Sequence, residues 1–249
     1  MAKQNSLFKV LGTLDDVTFY ERQGVHLIKK KTRLSGDRIK NDPAFERTQE
    51  TFREFGTTNQ IARMVRNAFP GLIKKVGDKR LPQRLTRLLF QIRKFDVTNP
   101  RGSRSAVIAL ETAGGQEALT GFNFNNITPL KQALPLNPVV DTAANTITIN
   151  GLNPKEMLRV PPLSSHFKLT GYWSRIDFLK DDYQSIRMSL DPMPIEDTIL
   201  DLVLSPTESL TGDGRDLVVL MIEFMIEDAG VLYPMKDKSH NAAAIVSVS

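Results

Sequence analysis

The residue types that most often carry chemistry are sparse in this chain. It has three histidines, His26, His166 and His240, and no cysteine. No two histidines have the i, i+4 spacing that a zinc site on one helix uses, and without cysteine there is no thiolate ligand, disulfide or Cys nucleophile. We interpret the histidines as strand or surface residues and expect no metal site and no cofactor.

Acidic residues form three local groups that could bind a hard cation or act as paired acid and base. The groups are Asp177, Asp181 and Asp182; Asp191, Glu196 and Asp197; and Asp213 with Asp216. All of them fall between predicted strands, where Asp is common because its side chain bonds to turn backbone. None has the ligand spacing of a calcium loop, so we expect no catalytic residue among them.

Phosphate-binding and nucleophile motifs are also missing. Gly212-Asp213-Gly214 begins like a dinucleotide fingerprint, but Leu217 replaces the third glycine and a strand follows. The sequence contains neither a Gly-Lys-Ser/Thr loop nor a Gly-x-Ser-x-Gly elbow. The chain is therefore predicted to be non-enzymatic.

The strongest signal is an uneven distribution of charge. Residues 1–104 contain 23 Lys and Arg against 10 Asp and Glu, a net charge of +13. Residues 105–249 contain 10 against 18, a net charge of −8. Such asymmetry points to binding partners. It predicts two domains, a basic strand-and-helix module over 1–104 and an acidic β-sandwich over 105–249.

The basic residues of the first half concentrate on two predicted helices and their connector. They predict a surface for assembly or for binding a polyanion: Arg63, Arg66, Lys74, Lys75, Arg80, Arg84, Arg87, Arg93 and Lys94. The predicted acidic counter-surface is Asp177, Asp181, Asp182, Asp213 and Asp216. Three interpretations stay open: a solvated cationic face, pairing with an acidic neighbouring copy, and neutralisation of nucleic-acid phosphates.

The elements that must position these residues differ between the halves. The first half predicts short strands at 7–11, 17–20 and 25–28, and then a basic connector over 29–40. Three amphipathic helices follow. The first begins at Asp42-Pro43 and ends at Gly56, the second runs from Thr57 or Thr58 to Pro70, and the third covers 81–95. Residues 96–104 resemble a linker.

From Ser105 the hydrophobic period changes to two, which predicts many short strands in an antiparallel sandwich. They are expected at 106–110, 119–124, 146–150, 166–178, 185–190, 198–204, 216–227, 231–235 and 242–248. The segment 216–227 is apolar on both faces, so we expect it to be central and covered on both sides. The predicted class is α+β, with the N-terminal strands and helices packed on the C-terminal sandwich.

Two stretches resemble a known group of proteins. Gly12-Thr-Leu-Asp-Asp-Val-Thr-Phe-Tyr20 and Asp37-Arg-Ile-Lys-Asn-Asp-Pro-Ala-Phe-Glu-Arg-Thr48 are similar to the opening of an uncharacterised family found mainly in Bacteroidota bacteria. Its end is similar to Ile222-Glu-Phe224, Tyr233-Pro-Met-Lys236 and Asn241-Ala-Ala-Ala-Ile-Val-Ser-Val248. The resemblance implies one family unit spanning the chain and implies no activity for any residue.

The expected function is that of a structural subunit that self-associates, head to tail, into a filament or a virion-like particle. The alternative is a nucleic-acid-binding protein that uses the basic helices. A ligand-binding sandwich would need exposed aromatics, and alternation places at least one of Tyr172 and Trp173 in the core. With no signal peptide in the opening residues and no apolar run of membrane-spanning length, we expect a cytoplasmic protein or part of a released particle.

Overall fold

The computed structural model describes residues 2–31 and 34–249. Met1, Thr32 and Arg33 lie outside the described residues, the last two within the predicted basic connector. The chain forms two compact units, Met1–Phe52 and Arg53–Ser249. The charge-based boundary after Arg104 therefore falls inside the second unit.

The N-terminal unit is a small antiparallel sheet followed by helical turns. Its strands are β1 (Ala2–Lys3), β2 (Gly12–Leu14), β3 (Val17–Arg22) and β4 (Val25–Lys30), in the order β1-β4-β3-β2. The β3–β4 turn consists of Gln23 and Gly24, both at positive φ, as a tight hairpin requires. The predicted strands at 17–20 and 25–28 are confirmed, whereas 7–11 forms a loop.

Helical structure begins after this sheet at polar caps. Ser35 Oγ accepts a hydrogen bond from the Arg38 backbone N–H at 3.1 Å and begins α1 (Gly36–Asn41). Asp42 then caps a 3₁₀ turn over Pro43–Phe45, and α2 (Glu46–Asn67) follows. The predicted helix start at Asp42-Pro43 is thus confirmed.

The second unit begins within α2 and continues through short helices. They are α3 (Leu72–Lys75), α4 (Leu81–Ile92) with a 3₁₀ turn at Arg93–Phe95, α5 (Ala106–Ala109), α6 (Ala113–Leu119), α7 (Leu130–Ala133) and α8 (Pro154–Met157). The third predicted helix, 81–95, is confirmed as α4 and its 3₁₀ extension.

Two antiparallel sheets complete this unit. The larger has the central strands β7 (His166–Asp177) and β11 (Arg215–Asp228). Strands β12 (Val231–Pro234) and β13 (Ala242–Val248) pair with β11, whereas β8 (Asp182–Ser189) and β9 (Met193–Pro194) pair with β7. The smaller sheet has the order β10-β6-β5, formed by β5 (Val139–Asp141), β6 (Thr146–Leu152) and β10 (Leu200–Leu204).

The larger sheet is covered on both faces, as the apolar pattern of β11 predicts. On one face Leu217, Val219 and Met221 join a core formed mainly by the helices. On the other face Val218 and Leu220 join the core shared with the smaller sheet. The α+β class with a C-terminal antiparallel sheet is confirmed, and the helices pack on that sheet.

Two predicted strands are wrong, because 106–110 and 119–124 lie largely in or beside short helices. Ser105 and Thr112 cap α5 and α6 by accepting hydrogen bonds from the N–H groups of Val107 and Gly115, each at 3.1 Å. These caps provide backbone partners that favour a helix over a strand. The second segment lies beside β13 without forming a strand: it makes an isolated bridge from Asn123 to Ala244, and the Phe124 N–H donates to the Ala243 carbonyl at 2.8 Å.

The predicted helix break at Gly56 is also wrong, because α2 runs through it. A glycine costs a helix interior only about 1 kcal/mol. The next turn is fixed by Thr58, whose buried hydroxyl donates to the Glu54 carbonyl at 2.7 Å. Local hydrogen bonding and burial therefore outweigh the low helix propensity of Gly56.

Candidate functional site

The basic surface predicted from the sequence lies on α2, α3, α4 and their connections. The apolar positions of α4, such as Leu85 and Leu89, are fully buried. The helical period consequently leaves Arg87 exposed and Arg84 half-buried. The structure confirms the amphipathic pattern but gives the arginines different environments.

Arg84 is an internal clamp. Its Nε and Nη2 atoms lie 2.9 and 2.7 Å from Asp78 Oδ2, and Nη2 also donates to the Asn123 carbonyl at 2.7 Å. The guanidinium lies over the Phe122 ring, 5.1 Å from its centroid. Through these hydrogen bonds the planar Arg84 guanidinium joins the α3–α4 connection to the segment after α6.

Arg93 makes a second internal clamp with Glu54, which is only 3% exposed. Arg93 Nε lies 2.7 Å from Glu54 Oε2, and the Gly102 N–H donates to Oε1 at 2.7 Å. Burial alone would raise the pKa of Glu54, but these hydrogen bonds hold that pKa below its ordinary value. The predicted linker 96–104 is therefore tied to α2.

Asp96 fixes the other end of the same segment. Its carboxylate accepts hydrogen bonds from the N–H groups of Thr98, Asn99 and Ser105, at 3.1, 3.0 and 2.9 Å. Burial favours a raised pKa for Asp96, yet the hydrogen bonds together hold the pKa below its usual value. This arrangement is structural and closes the turn between α4 and α5.

Two further cations of the basic surface pair with carboxylates of the acidic half. Lys75 Nζ lies 2.6 Å from Glu223 Oε2 on β11, and Arg63 Nη2 lies 3.5 Å from Asp181 Oδ2 after β7. Opposite charges thus already meet within one chain at these places. The exposed Arg63 pair contributes little, whereas the carboxylate of the Lys75 pair is mostly buried.

The acidic counter-surface is divided in the same way. Asp216 is buried, and its two carboxylate oxygens accept hydrogen bonds from Arg175 Nε and Nη2 at 2.7 and 2.8 Å. The N–H of Lys180 and its ammonium lower the pKa of Asp177. Asp177, Asp182 and Asp213 line one shallow depression of about 90 Å³ together with Lys180 and Arg175. Two cations therefore offset much of the charge that the sequence assigns to this surface.

The remaining members of the basic surface are available to solvent. No ion-pair partner lies among the described residues for Lys74, Arg80, Arg87 or Lys94, all of which are exposed. Arg66 is half-buried, and burial followed by repulsion from Arg63 lowers its pKa. The solvent-exposed cationic surface is therefore smaller than the sequence predicts.

The structure places each histidine beside a carboxylate and buries the neighbouring aromatics Tyr172 and Trp173. Each histidine lies within 4.0 Å of a single carboxylate: Glu21 for His26, Glu227 for His166 and Asp237 for His240. Across residues 2–31 and 34–249, no group of three or more potential ligands is placed to hold a metal ion. Tyr172 and Trp173 are both buried, on opposite faces of the sheet.

Sequence reasoning missed a loop with an apolar tip between β1 and β2. The Gln4 side chain holds it closed by donating to the Val10 carbonyl and accepting from the Val10 N–H, both at 3.0 Å. Leu7 and Phe8 lie at the tip and are 98% and 83% exposed. Their apolar character led to the strand prediction, whereas the polar run Gln4-Asn5-Ser6 was the signal for a loop.

Sequence reasoning also missed a cavity of about 280 Å³ between α3, β7, β11 and the segment before β13. Its lining combines Lys75, Lys168, Lys238, Glu223 and Asn241 with two methionines and a proline. These residues are far apart in sequence, so no local motif reveals the cavity. A larger groove of about 580 Å³ runs beside β13 and is mainly apolar.

Within the part of the chain that the structure describes, no helix is both long enough and apolar enough to cross a membrane. The chain thus combines two compact units, buried ion pairs, an exposed apolar loop and a lysine-lined cavity. Comparison with protein-family models, with curated proteins and with solved structures finds no match, so any function must be argued from these residues.

Proposed function

We propose that this chain is a non-enzymatic structural subunit that self-associates, and that its N-terminal unit forms the contact. The observation that carries the proposal is where the buried apolar side chains lie. Every buried apolar side chain among the described residues lies between Ile61 and Val248, so Met1–Phe52 has none.

The apolar side chains of this unit, such as Phe19 and Ile28, are at most partly buried, and a unit of this size gains little stability from partial burial. A small sheet needs an apolar face packed against something, and domains this short usually rely on disulfides, metals or oligomerisation. Cysteine is absent from the sequence, and the described residues offer no metal-binding group. Oligomerisation is another means of stabilising so small a unit, and it is the one that we propose.

The loop tip supplies a specific contact. Leu7 and Phe8 protrude from a loop that the Gln4–Val10 hydrogen bonds hold in place, so little conformational entropy is lost when the tip is covered. Burying a Leu or Phe side chain contributes about 1.5–3 kcal/mol. Covered by a second copy, the two residues together could supply much of the affinity of a weak subunit contact.

Charge has a secondary role in this proposal. Arg63, Arg84, Arg93 and Lys75 already have internal partners. The unpaired cations would steer the encounter between copies and set its orientation, whereas apolar contact would supply the affinity. Self-association should therefore persist in high salt.

The test is the solution mass of the full chain, measured by analytical ultracentrifugation at low and high salt. Leu7→Ser combined with Phe8→Ser should weaken self-association at least about tenfold. Leu179→Ser is the matched control, because Leu179 is 89% exposed but lies in the second unit. A wild-type monomer at every concentration, or equal association of the loop variant and wild type, would contradict the proposal.

Nucleic-acid binding is the second candidate, favoured by Lys74, Arg80, Arg87 and Lys94, which are exposed and have no ion-pair partner among the described residues. Arg87→Glu with Lys94→Glu is the suitable reversal, because changing Arg84 would break its clamp on Asp78. Loss of DNA or RNA retention in this variant, with self-association unchanged, would favour the second candidate. Retention should then also fall steeply as salt rises.

A further inference from the structure

The lysine-lined cavity lies on the helix-facing side of the larger sheet. Lys168 on β7 and Glu223 on β11 are directly opposite each other in the strand register. Lys75 comes from the end of α3, and Lys238 from the 3₁₀ turn before β13. Four separate elements thus bring three lysines and one glutamate to the same cavity, which gives its lining a net charge of +2.

The ammonium groups have bonding capacity left over. An ammonium has three donors. Lys75 donates to Glu223 at 2.6 Å and Lys238 donates to the Lys74 carbonyl at 2.8 Å, whereas Lys168 has no partner among the described residues. The excess of donors and of positive charge favours an anion in the cavity.

Asn241 contributes a fixed amide to the lining of the cavity. It is only 6% exposed, and its Nδ2 donates to the Lys75 carbonyl at 2.8 Å, which fixes the orientation of the amide. Its Oδ1 atom is buried and has no hydrogen-bond partner. The oxygen is closed off from solvent, so the amide acts as a rigid part of the lining and the lysines remain the groups open to a ligand.

The rest of the lining is apolar. Met225, Pro234 and Met235 complete the cavity. Methionine side chains adapt to irregular apolar shapes. They suit a short carbon skeleton better than a bare inorganic ion.

We propose that this cavity binds a small organic anion, in which a carboxylate or phosphate contacts the lysines and the carbon skeleton lies against the methionines and Pro234. This inference is independent of self-association, because every residue that it uses lies in Arg53–Ser249. Glu223 holds Lys75 in place, and the anion makes its main contacts with Lys168 and Lys238.

The test is isothermal titration calorimetry of the full chain with D-glycerate and glycerol 3-phosphate. Inorganic phosphate and glycerol are the comparison probes. At least one organic anion should bind saturably below about 10 mM, and glycerol should not bind. Lys168→Gln and Lys238→Gln should each weaken binding roughly tenfold. Lys94→Gln, at an exposed lysine outside the cavity, should leave it unchanged.

Three results would overturn the proposal: no saturable binding of either organic anion, binding that both cavity variants retain, or binding of inorganic phosphate as tight as that of glycerol 3-phosphate. Circular dichroism of each variant checks that the fold is intact. Because neither lysine is buried, both substitutions should leave the fold unchanged. The affinities measured for D-glycerate and for glycerol 3-phosphate show whether the cavity prefers a carboxylate or a phosphate.

Discussion

Charged side chains in this protein act largely as internal connectors. Glu54 illustrates the point, because one carboxylate joins α2 to the end of α4 through Arg93 and to the following turn through the Gly102 N–H. The sequence places Arg93 among the candidate surface residues but does not indicate its partner. The two residues are 39 positions apart, and only the tertiary fold brings them together.

Glu54→Gln should reduce the free energy of unfolding by about 2–4 kcal/mol, because it leaves Arg93 without its mostly buried counter-charge. Urea denaturation followed by circular dichroism measures the change. Asp181→Asn removes the carboxylate of an exposed pair with Arg63 and should cost less than about 1 kcal/mol. Equal losses in the two variants would show that the Glu54 clamp is not stabilising.

At the scale of elements, strands were easier to predict than short helices. The period-two pattern placed β7, β11 and β13 within one residue of their observed bounds, because long apolar strands at the centre of a sheet repeat the signal many times. Helices α5 and α6 span only four and seven residues, too few for a helical period to show. Their caps, Ser105 and Thr112, were the better signal.

Two glycines in helices should respond oppositely to alanine. A Cβ at Gly115 in α6 would lie 2.0 Å from the Ala109 carbonyl oxygen, so Gly115→Ala should destabilise the fold by more than about 2 kcal/mol. A Cβ at Gly56 in α2 would meet nothing within 4 Å. Gly56→Ala should therefore stabilise the fold by about 0.5–1 kcal/mol.

Thermal and urea unfolding of the two variants beside wild type provide the measurement. The same substitution at both sites makes each variant the control for the other. A stabilised Gly115→Ala protein would mean that α5 and α6 pack less closely than described.

At the scale of the whole molecule, charge and compactness divide the chain at different places. The net charges of +13 and −8 divide the chain after Arg104, whereas the boundary between the two compact units lies between Phe52 and Arg53. Basic helices therefore belong to the same unit as the acidic sheets. Composition alone could not predict this, because the division depends on which apolar faces share a core, and α4 and β11 contribute to the same one.

Acid should destabilise the second unit as a whole. Burial favours raised pKa values for Glu54, Asp78 and Asp96, but their hydrogen bonds hold each pKa below the ordinary 4.5 for Glu and 3.8 for Asp. The unfolded chain therefore takes up these protons at a higher pH than the folded chain. Their contribution to stability is complete above the ordinary values and is lost as the pH falls through the lower folded-state pKa values.

Urea midpoints from about pH 7 to about pH 3 should accordingly stay level at first and fall steeply below about pH 4.5. Asp96→Asn should start from a lower midpoint and show a shallower fall, since it removes one of the three groups. A midpoint that is unchanged at about pH 3 would contradict this assignment.

The end of α2 has a consequence for the order in which the chain folds. The Ala68 carbonyl, just beyond α2, accepts hydrogen bonds from the hydroxyls of Ser174 on β7 and Ser185 on β8. These donors lie 106 and 117 positions further along the chain. Contacts between such distant residues close late, because a long loop must lose its entropy first. We expect the β7–β8 hairpin to form as a local unit, and the helix end to remain frayed until that hairpin docks on it.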